Sequence, residues 1–408
     1  MNGEPPLTVP QARARILADI SQDRPVEVVA LERALGRTLA RDLAAKRTQP
    51  PKAVSAMDGY AVRAEDLSQL PVKLKQIGES TAGHGFSSSI GPKETVRIFT
   101  GAPVPDGCDT ILIQENARVE AGFVEPLQSI ASGRHIRAKG IDFAVGEVLL
   151  AAGTRLGASN IALAAAMNFA EVAVTRRPRV GILATGDELV HPGEAIGANQ
   201  IVASNSFAIA ALVEAAGGEA LDLGIAKDDL STIEKHISTA RASAADVLVT
   251  LGGVSVGDHD LVKPALAGQG MELNFWKIAM RPGKPVIHGL LGPMIVLGLP
   301  GNPVAAFVAG IVFLVPLLRA LCGDPDAGRD AAEPAILGKA LRGNDSRQDY
   351  LRATLRPAET GLPVATPFEI QDSSLLRLLA QAQCLVIREP HAEPAAAGDL
   401  CRIIRLRF

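Results

Sequence analysis

The spacing of apolar positions divides the chain into helical, β-rich and alternating stretches. Ala12, Ile16, Leu17 and Ile20 recur at helical intervals and predict a helix from Pro10 to Ile20. A second helix is expected over residues 29–39. Between residues 58 and 148 the texture changes. Short β-rich runs such as Val96-Arg97-Ile98-Phe99 and Thr110-Ile111-Leu112-Ile113 alternate with Gly and Pro turns, which predicts an inserted β domain. An Ala-rich stretch at 156–167 predicts a returning helix.

A different rhythm begins near Arg179. The continuous apolar runs Val180-Gly181-Ile182-Leu183-Ala184, Val247-Leu248-Val249-Thr250-Leu251 and Ile295-Val296-Leu297-Gly298-Leu299 predict buried strands, with Ala220-Leu221-Asp222-Leu223-Gly224-Ile225 as another. Helical spacing at 204–216, at 230–243 and after Pro303 falls between or behind them. Strands alternating with helices predict a parallel α/β sheet covered on both faces, whose ligands bind outside the carboxyl ends of the strands. Residues 323–334 are rich in Gly, Asp, Ala and Pro and are expected to be a linker. Strands at 350–355, 384–388 and 401–406 then predict a small C-terminal β domain. The expected organisation is a helical and linker region at 1–57, the β insertion at 58–148 and a returning helix region at 149–177. An α/β domain at 178–324 and a β domain at 333–408 complete it.

Composition narrows the function. With 41 Lys and Arg against 44 Asp and Glu, the chain has no global basic field to hold nucleic acid by counterion release. Cys108, Cys322, Cys384 and Cys401 form no CxxC, which disfavours zinc-knuckle and thioredoxin-like chemistry and fits a reducing cytosol. The first residues lack a basic region followed by an apolar run, so no signal peptide is expected. The most apolar stretch, around 305–321, contains Pro316 and is short for a spanning helix, so it is expected to be buried in protein.

Candidate chemistry lies at the predicted strand ends. Four glycine loops stand out: Thr185-Gly186-Asp187-Glu188-Leu189, Gly252 to Asp260, Met280-Arg281-Pro282-Gly283-Lys284-Pro285, and Pro300-Gly301-Asn302-Pro303. Glycine lets backbone approach a bulky anion, and amides at a helix start then point at it. The same loops carry Asp187, Glu188, Asp258 and Asp260, with Asp228 and Asp229 before the 230–243 helix. For Asp228 and Asp229 helix capping is an equal alternative. Carboxylates beside phosphate need an intervening cation, and Mg²⁺ takes few carboxylates plus phosphate oxygens. The loops therefore suggest a Mg²⁺-bound phosphorylated ligand, although neither GxxxxGK[ST] nor a GxGxxG after a strand is present. Gly253-Val254-Ser255-Val256-Gly257 matches GxSxG, but its continuation into Asp258-His259-Asp260 suits a ligand loop better than a nucleophile elbow. In the β insertion, Asp58-Gly59 has a hairpin turn as its plain alternative. Cations available for an anion include Arg137, Lys139, Lys277, Arg281, Lys284, Arg347 and Arg352.

Together these segments resemble the molybdopterin molybdenumtransferase family, which includes the enzymatic domain of gephyrin. The resemblance rests on Met57-Asp58-Gly59-Tyr60-Ala61-Val62, residues 97–105, 185–189, 252–261 and 280–285, Gly298-Leu299-Pro300-Gly301-Asn302-Pro303, Gln200-Ile201 with Ser204-Asn205-Ser206, and 347–352. It implies a multidomain α/β plus β fold and a cytoplasmic, elongated homodimer, its site lying between the α/β domain of one subunit and the β domains of the other. It implies an enzyme that takes molybdate and adenylylated molybdopterin, releases AMP and leaves molybdenum on the dithiolene. Asp58, Thr100, Glu188, Asp228 and Asp260 would be catalytic, with Glu188, Asp228 and Asp260 also in the Mg²⁺ environment. Gly252, Gly253, Ser255, Gly257, Pro300, Gly301, Asn302 and Pro303 would shape the substrate loops. Arg137, Lys277, Arg281, Lys284 and Arg352 would steer molybdate or phosphate.

A molybdopterin adenylyltransferase and molybdoenzyme apoproteins or chaperones are the implied partners, with neither nucleic acid nor membrane. The alternatives are a pterin adenylyltransferase or nucleotide hydrolase on the same α/β domain, and a non-enzymatic gephyrin-like scaffold. This chain departs from the family pattern at Ile141, where Glu is frequent, at Arg281, where Lys is common, and at Gln371-Asp372-Ser373-Ser374, which lacks a frequent His.

Overall fold

The computed structural model describes residues 5–21, 23–254, 260–358 and 361–406. It falls into two units, one formed by residues 1–27, 36–40 and 174–408 and the other by residues 28–35 and 41–173.

The first unit is built on a six-stranded sheet. Its order is Glu219–Ala226, Arg179–Thr185, Val247–Leu251, Met294–Leu299, Pro285–Leu291, Glu272–Lys277. The first four strands are parallel, as the continuous apolar runs predict for strands buried on both faces. Alternate residues serve opposite cores. Ile182, Val249 and Leu297 pack with Ile209, Leu212, Val308 and Phe313 on one side, joined by Ala12 and Ile16 of the N-terminal helix Val9–Ala18. Leu183, Leu248 and Val296 pack with Ile233, Ile237 and Leu266 on the other.

The expected parallel sheet is extended on one side by the antiparallel pairings of Pro285–Leu291 and Glu272–Lys277. A two-residue hairpin at Gly292-Pro293 makes the reversal, with Leu291 paired to Met294 and Gly292 at φ +61°. Glycine supplies that left-handed conformation without strain.

The apolar segment Pro303–Leu321 has mean hydropathy 2.4 and would be long enough to cross a bilayer, yet 72% of it is buried inside the fold. It is the central helix of one core. A π-helical turn at Gly310–Leu314 precedes Val315–Leu321, whose Pro316 cannot donate a backbone hydrogen bond.

The C-terminal β domain forms a sheet in the order Met280–Arg281, Gln348–Arg356, Val364–Pro367, Glu333–Leu337, Leu400–Arg405, Cys384–Arg388, and pairing of Gln348–Arg356 with Cys384–Arg388 closes it. The strand Glu333–Leu337 begins inside the expected 323–334 linker. Met280–Arg281 comes from the α/β region and pairs in parallel with Gln348 and Asp349. A ligand-loop segment is thereby bonded directly to the C-terminal domain.

The second unit holds another six-stranded sheet, in the order Thr110–Ile113, Gly59–Val62, Glu94–Ile98, Leu74–Ser80, Phe123–Pro126, Ala117–Glu120. Helix Ala158–Ala166 follows, as the Ala-rich stretch predicts. The helix expected over 29–39 is instead the strand Val26–Ala30 and a 3-10 turn at Leu31–Arg33. Val26, Val28 and Val29 favour extended backbone, and Gly36 at φ +73° ends any continuation.

Candidate active site

A cleft of about 1080 Å³ opens at the carboxyl ends of the parallel strands, and all four glycine loops line it. Strand Arg179–Thr185 delivers Gly186 and Glu188, and the end of Val247–Leu251 delivers Gly252 and Gly253. Strand Met294–Leu299 runs into Pro300, Gly301, Asn302 and Pro303, while Arg281 and Lys284 come from the loop before Pro285–Leu291.

The loops fit together only because they lack side chains. A Cβ on Gly252 would lie 2.8 Å from the Thr185 carbonyl, and one on Gly253 would lie 2.3 Å from Val262 Cγ2; both have left-handed φ, +95° and +62°. The Gly252 amide donates to the Leu299 carbonyl, and Asn205 Nδ2 donates to the Gly301 carbonyl at 2.6 Å. Ser255 and Gly257, expected in the same loop, lie outside the described residues.

Three of the acids that line the cleft, Asp260, Glu188 and Asp228, differ in their surroundings. Asp260 has both carboxylate oxygens buried with no hydrogen-bond partner among the described residues, and burial pushes it up to about 6. The amides of Val262 and Lys263 and the Lys263 charge pull the other way without offsetting that burial. The Glu188 carboxylate folds back over Gly186, where a Cβ would meet its Oε2 at 2.4 Å. Asp228 borders the cleft, and its amide donates to Asp187 Oδ1 at 3.3 Å. The capping alternative belongs to Asp229 alone. Its Oδ2 accepts from the Thr232 amide at 2.8 Å and from the Ser231 and Thr232 hydroxyls, which hold it below the usual carboxylate range.

Among the described residues no group of three His, Cys, Asp or Glu side chains is close enough to hold a metal ion. Glu188, Asp228 and Asp260, expected in the Mg²⁺ environment, nevertheless all line the cleft. They reach one cleft from three loops without converging on a point. A Mg²⁺ that uses one or two carboxylates and completes its shell with water and substrate phosphate still fits, because Asp260 presents an unpartnered buried carboxylate.

The cations divide. Lys284 lines the cleft, as does Arg281, which also reaches the Asp349 carboxylate, Asp345 Oδ2 at 3.3 Å and Asn344 Oδ1 at 3.3 Å. Lys277 is not among the lining residues; its ammonium lies 4.7 Å from the Trp276 ring centroid. The steering role expected of Arg352 is also corrected. It is 1% exposed, and its guanidinium donates to the carbonyls of Asp372 at 2.8 Å, Leu375 at 3.1 Å and Ile370 at 3.4 Å. Those bonds hold a loop that sequence reasoning noted only as a departure. Gln371, Asp372, Ser373 and Ser374 line the cleft, and Ser373 accepts from Asn302 Nδ2 at 3.0 Å and from the Val304 amide. Its polar side chains without periodicity gave no sequence signal for that position.

In the second unit, Asp58 and Thr100 form a closed pair. Asp58 Oδ1 accepts from the Thr100 amide at 2.7 Å and from its hydroxyl at 2.9 Å, and these bonds hold the carboxyl below its ordinary value. Asp58-Gly59 is no hairpin turn. It leads into strand Gly59–Val62, where a Cβ on Gly59 would lie 2.0 Å from the Leu112 carbonyl. Arg137 lines a separate hollow of about 630 Å³ with Arg47, Lys52, Ile141 and Asp142.

Residues 181–320 match the family described as "Probable molybdopterin binding domain". Residues 7–168 match "MoeA N-terminal region (domain I and II)", and residues 334–406 match "MoeA C-terminal region (domain IV)". A molybdopterin molybdenumtransferase of Haemophilus influenzae is 35% identical over 97% of this chain and 98% of its own length. The chain belongs to the molybdopterin molybdenumtransferase family. A Nostoc molybdopterin molybdenumtransferase is 41% identical over 75% of this chain and 71% of its own. The crystal structure of the molybdopterin biosynthesis moeA protein of Pyrococcus horikoshii superposes with a TM-score of 0.85 at 28% identity, covering 99% of this chain and 100% of that one.

This is a family of enzymes, and its multidomain fold is the one found here. The cleft acids Glu188, Asp228 and Asp260 fall in the segment matching the molybdopterin-binding domain, whereas Asp58, Thr100 and Arg137 fall in the MoeA N-terminal region. Arg352 and the 371–374 loop fall in the MoeA C-terminal region. The cleft is therefore lined by two of the three family segments.

Proposed function

We propose that this enzyme inserts molybdenum from molybdate into adenylylated molybdopterin and releases AMP during molybdenum cofactor biosynthesis. The observation that carries the reading is the cleft at the strand ends, where close-approaching glycine loops meet the unpartnered Asp260 carboxylate. Glycine amides and Lys284 bind the phosphate groups. The Pro300-Gly301-Asn302-Pro303 loop, held by Asn205 and Ser373, orients the pterin end. Asp260, with Glu188 and Asp228 nearby, would hold Mg²⁺, which when bound neutralises charge on the pyrophosphate-like link. A water oxygen forms the new bond to one phosphorus as that phosphorus loses its bond to the bridging oxygen, giving AMP and the pterin phosphate with release of protons. Molybdate loses one oxygen as water, taking up the two dithiol protons, as its molybdenum bonds to the two sulfurs.

The enzyme acts in the cytoplasm as a homodimer, and a partner copy supplies the acid–threonine pair of the second unit to position the adenylylated substrate. A molybdopterin adenylyltransferase hands over the substrate, and molybdoenzyme apoproteins or their chaperones receive the product.

Purified protein, adenylylated molybdopterin, Mg²⁺ and molybdate decide the matter when AMP release and molybdenum incorporation are measured together. Coupled appearance of both supports transfer. AMP release with no molybdenum incorporated makes the protein a nucleotide hydrolase, and molybdenum transfer undiminished in both Glu188→Gln and Asp260→Asn removes the assigned site. Peptide binding with no turnover would identify a scaffold.

A further inference from the structure

The chain's single tryptophan stands beside the cleft without lining it. Trp276 lies near the end of the edge strand Glu272–Lys277 and packs against the core that contains Val254 and Val262. Its indole Nε1–H donates to the Val254 carbonyl at 3.3 Å. The Lys263 ammonium lies 4.0 Å from its ring centroid. Val254 directly follows the Gly252-Gly253 pair, and Lys263 sits in helix Val262–Gly268, which begins two residues after Asp260. One side chain thus touches both described ends of this loop.

We infer that Trp276 is a positioning residue, setting the spacing between the glycine amides and the Asp260 carboxylate. Each end is held on its own, Gly252 by its amide bond to the Leu299 carbonyl and Val254 and Val262 by burial in the core, and the indole is the side chain that joins the two. Gly253 has no side chain to carry a contact across, and among the described residues the Asp260 carboxylate has only the poorly aligned amides of Val262 and Lys263 near it as donors. The indole joins a directional bond on one side to a cation–π contact on the other, with its ring packed against the core. A Phe ring would keep the packing and the Lys263 contact but lose the bond to Val254.

This inference rests on the cleft being the reaction site, and its test has an arm that does not depend on turnover. Hydrogen exchange at the amides of Gly252 to Val254 and Asp260 to Lys263 is compared in the full-length parent and Trp276→Phe. Protection is expected to fall several-fold in the variant while the melting temperature falls by no more than about 2–4 °C, the scale of one lost bond. In the active parent's assay, the KM for adenylylated molybdopterin should rise roughly threefold to tenfold, the scale of one net hydrogen bond, with kcat changed less than twofold. Unchanged exchange overturns the anchoring whether or not the parent turns over. Faster exchange with KM unchanged overturns the positioning role, and a kcat loss that tracks a lowered melting temperature reduces Trp276 to a structural residue. A parent with no turnover would count against the proposed function, leaving the exchange comparison to decide the anchoring.

Discussion

Replacing Arg352 with Met separates a structural cation from one that holds substrate. The buried guanidinium donates to three carbonyls of the 370–375 loop, two of them at 2.8 and 3.1 Å and one at 3.4 Å. Bonds from a charged donor each contribute about 1.5–3 kcal/mol, so the two shorter ones together represent roughly 3–6 kcal/mol. The loop carbonyls regain part of this from water, and Met avoids burying a charge whose desolvation already presses the guanidinium's pKa down. A net loss of about 3 kcal/mol is expected. Gln371 would still bridge the backbone, because its amide donates to the Arg352 carbonyl at 2.9 Å and its Oε1 accepts from the Arg352 amide at 3.0 Å. Urea denaturation measures the loss. Arg352→Lys should recover less than half, since an ammonium cannot reproduce the planar fork. Inorganic phosphate binding, measured where each variant is folded, should change little. A stability change under about 1 kcal/mol together with abolished phosphate binding would refute the reasoning and return Arg352 to the substrate.

Gly253→Ala should destabilise by roughly 2–4 kcal/mol, from left-handed backbone and a Cβ 2.3 Å from Val262 Cγ2. Adding Val262→Ala should relieve the clash but not the backbone cost, and a Gly253→Ala melt equal to the parent's would contradict the geometry. His288 is fully buried, with Nε2 2.8 Å from Asp19 Oδ2 and Nδ1 3.3 Å from the Val296 carbonyl, beside Phe275; burial lowers its pKa despite the carboxylate. The unfolded chain then takes up a proton that the folded imidazole refuses, so stability falls as pH drops below about 6.5. Urea melts at pH 7.5 and 5.5 should show a smaller drop for His288→Asn than for the parent, and a larger drop would mean that the buried ring is an imidazolium. Thr100→Val removes the 2.9 Å hydroxyl bond to exposed Asp58 but leaves the amide bond, so turnover should fall while stability changes by less than about 1 kcal/mol.

Legibility in the sequence followed the strength of local periodicity. The buried strands at Arg179–Thr185 and Val247–Leu251 were readable because an uninterrupted apolar run has few other destinations. The antiparallel strands Glu272–Lys277 and Pro285–Leu291 were not. The first mixes Glu272, Asn274 and Lys277 with its apolar residues, and the second directly follows a loop motif that drew the eye as chemistry. Gly292-Pro293 was the available turn signal. At the site, glycine loops pointed to the cleft because close backbone approach restricts the residue type. The 371–374 loop carries no such restriction, and its place depends on Arg352 reaching across 18 to 23 positions of sequence. Arg352 and Lys277 illustrate the same point. Residue type gives the charge, but only packing reveals whether a carbonyl, an aromatic ring or a ligand receives it.

The same distinction separates the acids. Asp58 accepts two bonds from Thr100, and its lowered pKa makes it a poor proton acceptor. What it can offer a ligand is fixed geometry and charge. Asp260 accepts none among the described residues and is buried enough to resist ionisation. Such a carboxylate gains most from a cation or a ligand donor that enters the cleft, because that contact removes a cost already present in the free protein. Binding at Asp260 is therefore coupled to its ionisation: a cation that binds the carboxylate releases a proton where the pH is near or below about 6, and little above it. Glycine loops can bring a phosphate close without supplying positive charge, and Asp260 can attract the charge without supplying shape. Neither feature would recognise a cation-bridged phosphate alone, whereas their convergence in one cleft joins the two requirements.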